Sequence, residues 1–82
     1  MKSAAEKGIP GAQNRLAWIY AEGVMTSKNP LEATKWRYIA KAQGIADDKL
    51  DQLVAHYPAN DRTTAQQRAN EWLDRSVLGG GF

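Results

Sequence analysis

Apolar residues recur along this chain at the three-and-four spacing of an amphipathic helix. Leu16, Ile19, Tyr20 and Gly23 follow one another at i, i+3, i+4 and i+7, with Ala12 one turn earlier. The pattern predicts a helix over about residues 11–22, with Gly23 permitting a left-handed stop. The next start signal is the strongest in the chain: Asn29 can cap, Pro30 suits the first helical position, and Glu32 follows three residues after Asn29. That helix, about residues 30–43, carries Ala33, Trp36 and Ala40 on one face and ends near Gly44. A third, about 46–57, has Leu50, Leu53, Val54 and Tyr57 at helical spacing and is stopped by Pro58. Asp47, Asp48 and Asp51 stand near its start, where negative charge complements the helix dipole. A fourth, about 62–77, carries Ala65, Ala69, Trp72, Leu73 and Val77. Thr63 with Gln66, or Thr64 with Gln67, offers it a capping box.

A shift of about 36 residues brings like onto like. Ala4 falls on Ala40, Gly8 on Gly44, Ile9 on Ile45, Ala33 on Ala69 and Trp36 on Trp72. These residue types set close helix packing and helix ends, and the period suits stacked helix pairs. The expected fold is all-α: two antiparallel helix pairs stacked as a short right-handed α-solenoid. Residues 1–44 hold one repeat, with the tail of a preceding repeat at 4–8. Residues 45–78 form a degenerate capping pair, and 79–82 a flexible tail.

The stretch from Ala4 to Gly44 resembles a Sel-one-like repeat, a subclass of the tetratricopeptide-type helical repeats. The matching residues read A-A-E-K-G, A-Q-N-R-L-A-W-I-Y-A-E-G, N-P-L-E-A-T-K-W and A-K-A-Q-G. The repeat positions are Gly8, Ala12, Leu16, Tyr20, Gly23, Ala33, Trp36, Ala40 and Gly44, with Ala69 and Trp72 in the second pair. The resemblance implies scaffold work: an adaptor that holds other proteins in bacterial signalling, secretion or envelope regulation. The beta-lactam-binding members of that family are cysteine-rich. This chain has no cysteine, so their ligand is not carried over.

Composition narrows the chemistry. The chain has 82 residues, a net charge of +2, one histidine and no cysteine. Disulfides, thiolate metal sites and a cysteine nucleophile are excluded. A metal needs several converging ligands, and His56 stands alone. A serine nucleophile would have only that histidine for a base. No cofactor, no metal and no catalytic group are expected, so the reading is not an enzyme. The apolar runs are too short to cross a bilayer. Cytoplasmic and exported locations both stay open.

Trp36 and Trp72 read as core. Trp18 points away from the Leu16–Ile19–Tyr20 stripe and shares its face with Asn14 and Ala21, flanked by Arg15 and Glu22. Such a tryptophan either packs on a preceding repeat or anchors a partner protein or peptide, and left uncovered it offers a self-association patch. Asn14, Arg15, Trp18, Ala21 and Glu22 are therefore the candidate binding face. Lys35, Arg37 and Lys41 read as a solvated basic side. Two rivals stand beside the adaptor. One is a purely structural cap of a longer solenoid. The other is a small basic nucleic-acid-binding module using Lys35, Arg37, Lys41, Arg62 and Arg68, although no nucleic acid is expected at so low and scattered a charge.

Overall fold

The computed structural model describes residues 2–80, with side-chain environments from Ala4 to Arg75. It contains α1 (Lys2–Glu6), α2 (Pro10–Glu22), α3 (Pro30–Ala42), α4 (Asp48–Ala55) and α5 (Ala59–Gly80), and no strand among those residues. The all-helical expectation holds.

Local chemistry accounts for most boundaries. Pro10 opens α2, and Gly23, in the left-handed region at φ 74°, closes it with its N–H on the Ile19 carbonyl. The Asn29 side chain accepts from the Glu32 N–H at 3.1 Å, and Pro30 is the first residue of α3. Asp47 caps α4 by accepting from the Leu50 N–H at 3.0 Å. The start expected for the last helix is corrected. It begins at Ala59, directly after Pro58, which places Thr63 and Thr64 inside α5. Neither threonine caps. Proline already ends the preceding segment, and the chain re-enters helix within a few residues. The helix then runs on to Gly80, past the end expected at 77, taking in two glycines assigned to a loose tail. Gly81 and Phe82 lie outside the described residues.

The two glycines one repeat period apart end their helices in the same way. Gly8 has φ +90° and Gly44 φ +94°. The Gly8 N–H donates to Ala5 O at 3.1 Å and the Ile9 N–H to Ala4 O at 3.3 Å. One period later the Gly44 N–H donates to Lys41 O at 3.0 Å and the Ile45 N–H to Ala40 O at 3.1 Å. Only glycine takes such a φ without a steric penalty. Gly11 differs: it lies inside α2, and a Cβ built there meets nothing within 4 Å. Gly44→Ala is expected to lower the unfolding free energy by about 1–2 kcal/mol. Gly11→Ala is expected to raise it by about 0.5–1 kcal/mol. Urea midpoints at constant slope measure both.

The packing centres on α3, which lies against α2 along one side and α5 along another, while α1 packs on α2. Alanines make this close approach possible: Ala5, Ala17, Ala33, Ala40, Ala65 and Ala69 are all fully buried. Among them sit Leu16, Ile39, Leu50, Val54 and Trp36. Trp36 meets Trp72 edge-on, with ring centroids 5.8 Å apart and planes at 70°. Half-buried Ala12, Ile19, Tyr20 and Leu73 pack around this cluster.

The α2–α3 hairpin is a packed pair, as expected. The second pair is not formed in the same way, because α5 packs chiefly along α3 and α4 touches α3 only lightly. The reason is size: α4 has eight residues and buries only Leu50 and Val54. It has too little apolar face to support a long partner.

Candidate protein-interaction face

The outer side of α2 was the candidate site, and the structure divides it. Trp18 is half-buried, and its indole Nε1–H donates to Asp47 Oδ2 at 2.7 Å. Asn14, one turn earlier, donates from Nδ2 to the same oxygen at 2.8 Å. Ala21 is half-buried against the core. Arg15 and Glu22 are exposed. The polar edge of Trp18 is taken by the segment that follows α3, because Asp47 caps α4 with Oδ1 and accepts from the indole with Oδ2.

One correction concerns Arg37, read as part of a solvated basic side. It is fully buried. Its Nε donates to Asp51 Oδ1 at 2.7 Å, Nη1 to Asn14 Oδ1 at 2.8 Å, and Nη2 to the Ile45 carbonyl at 2.9 Å. The planar guanidinium suits this work because it presents five donors in a fixed fork. One side chain of α3 thereby ties together α2, the α3–α4 turn and α4. Burial of a charge is tolerated only when it is paired and hydrogen-bonded in this way. Helical spacing sets Arg37 beside Ala33 and Ala40, at i, i+4 and i+7, but does not show the partners that let it be buried.

Gln13 forms a second buried junction that the pattern concealed. It is fully buried, donates to the Ala5 carbonyl at 3.0 Å, and accepts from Gln43 Nε2 at 2.6 Å. It links α1, α2 and the end of α3.

The remaining basic candidates lie on α3 and α5. Lys35 lies 2.8 Å from Glu32 Oε2, an ion pair without hydrogen-bond geometry, and 4.5 Å over the Trp36 ring. Lys41 is exposed and 3.9 Å from Asp51. Arg62 is half-buried and Arg68 exposed. With Arg37 sealed inside, the five basic candidates do not share one exposed face. His56 is exposed at the end of α4, its Nδ1 2.7 Å from the Gln52 carbonyl. No cluster of metal-ligating side chains forms among the described residues.

The two engaged carboxylates are held in their charged forms. The hydrogen bond from Arg37 lowers the Asp51 pKa, and the charges of Arg37 and Lys41 outlast the opposing effect of burial. At Asp47 burial pushes upward, but hydrogen bonds from Asn14, the Leu50 N–H and Trp18, with the Arg37 charge, bring the net value down. A carboxylate with a folded pKa below its unfolded value of about 3.9 contributes stability that is full at neutral pH. That stability is lost as pH falls through the folded value. The unfolding free energy is therefore expected to hold steady from pH 7 to about 5 and to fall below about 4. Asp51→Asn should flatten this acid limb. At pH 7 it should cost about 1–2 kcal/mol, a figure reduced because Asp51 is a third exposed. Urea melts at several pH values read both effects, and an acid limb as steep in the variant as in the parent would contradict the assignment.

Among the described residues no helix is long and apolar enough to cross a membrane. Compared with known proteins, the chain matches no family model, no curated protein and no solved structure.

Proposed function

We propose that this chain is part of a helix-pair repeat protein of the Sel-one-like, tetratricopeptide type, and that it works as a non-catalytic adaptor binding another protein or a peptide segment. The observation that supports this most is the duplicated helix end. Gly8 and Gly44, one period apart, share a positive φ and the same pair of closing hydrogen bonds. Trp36 and Trp72, at the same period, pack on each other. Repeats of this kind stack into extended surfaces suited to partner binding.

The binding face on this reading is the exposed stripe of α2. Arg15, Trp18 and Glu22 fall at i, i+3 and i+7. Trp18 supplies a half-buried ring already fixed by Asp47, and the exposed Arg15 and Glu22 supply opposite charges beside it. A ring held in one orientation loses little entropy on binding.

Because Trp18 also bonds Asp47, truncating it would disturb the fold as well as the face. The cleaner test reverses both exposed charges, Arg15→Glu with Glu22→Arg. Net charge and fold are unchanged, which circular dichroism checks. Affinity for a polypeptide recovered with the parent chain is expected to fall about tenfold or more. Equal affinity in parent and variant would remove this face.

One observation favours a second reading, the purely structural cap. The side of α5 carrying Gln66, Arg68, Asn70, Glu71 and Asp74 is exposed and polar, suited to closing a stack against water. On that reading the charge reversal alters nothing and no polypeptide is retained.

A further inference from the structure

A groove runs between α3 and the first turns of α5, on a different part of the surface from the α2 stripe. Tyr38, Ala59, Arg62, Thr63, Gln66 and Gln67 line it. Arg62 is half-buried, and its Nε donates to the Tyr57 carbonyl at 3.1 Å. That bond orients the guanidinium and leaves Nη1 and Nη2 without a partner among the described residues. No aspartate or glutamate lines the groove, and Arg62 pairs with none among the described residues. Among the residues that line the groove the charge of Arg62 is therefore not offset. The two free nitrogens form the end-on fork that matches a carboxylate in bidentate fashion. Tyr38 and Thr63, which line the groove with it, each carry a hydroxyl, and Tyr38 adds an apolar ring that suits the aliphatic part of an acidic side chain.

We propose that this groove binds the carboxylate of an acidic peptide segment, gripped end-on by Arg62 and flanked by Tyr38 and Thr63. The charge of the groove selects this occupant. A neutral peptide leaves Arg62 uncompensated, whereas a glutamate or aspartate side chain neutralises it. The proposal stands apart from the α2 face and survives if that face proves inert.

The test is an NMR titration of the full chain. The probes are a blocked tripeptide with a central glutamate, its glutamine counterpart, and inorganic phosphate. The glutamate peptide should shift the Arg62 Nε–H signal and the Thr63 and Gln66 amides saturably. It should bind about tenfold or more tightly than the glutamine peptide. Arg62→Gln should abolish the preference. Because that change also removes the bond to Tyr57, a second variant is used. Tyr38→Phe keeps the ring, loses only the hydroxyl, and should weaken binding by roughly threefold or more. Equal shifts from both peptides, unchanged binding in the two variants, or tighter binding of phosphate than of the glutamate peptide would each overturn the proposal.

Discussion

Arg37→Met lowers the unfolding free energy by about 3–5 kcal/mol, the expected loss when one partner of a buried ionic cluster is removed. The length of the side chain is roughly kept, so packing is not the main loss. Arg37 is fully buried and donates to Asp51, Asn14 and the Ile45 carbonyl. Without it Asn14 Oδ1 and the Ile45 oxygen, both part-buried, lose their donor, at about 1–3 kcal/mol each. Asp51, a third exposed, can recover part of its hydration, which keeps the total from rising further. Against a typical stability of about 5–15 kcal/mol this is a large fraction. Arg37→Lys should rescue little, because a single ammonium cannot reach three partners in fixed directions. Urea melts measure the loss, and a decrease under about 1 kcal/mol would place the weight of the α2–α3–α4 junction elsewhere.

Trp36→Ala is expected to cost about 3–5 kcal/mol. Trp36 is only 3% exposed and sits among fully buried Ala33, Ile39 and Ala40. The substitution leaves a cavity that rigid helices close only in part, and it removes the edge-on contact with Trp72, worth about 0.5–1.5 kcal/mol by itself. Trp72→Ala should cost less, because Trp72 is half-buried. Thermal and urea melts compare the two. Near-ultraviolet circular dichroism should lose the same coupled tryptophan signal in both variants. A larger loss from Trp72 than from Trp36 would contradict the arrangement.

Both predictions fall on α3, and only one of them was visible along the chain. Trp36 stands on an alanine-rich stripe, so its burial followed from helical spacing. Arg37 stands on the neighbouring stripe with Ala33 and Ala40, but its charge suggested water. Burial of an arginine depends on partners supplied by α2 and α4, and no local pattern reports them. Asp47 was legible as a helix-starting residue and illegible as the acceptor for Trp18 and Asn14, for the same reason. Helical periodicity alone marks the candidate face on α2. Periodicity places Trp18 away from the Leu16 stripe, yet it cannot say that α4 returns to meet it.

By itself the sequence determined what local forces control: the four main helices, the cap at Asn29, the acidic start at Asp47, the glycine stops at Gly23 and Gly44, and the burial of Trp36. Each depends on backbone bonds and side chains a few residues apart. Tertiary structure alone decided that α5 lies along α3, that Arg37 and Gln13 are interior, and that Trp18 spends its N–H on Asp47. These outcomes depend on which surfaces meet at distances of tens of residues, where pairing and desolvation, rather than spacing, set the energy.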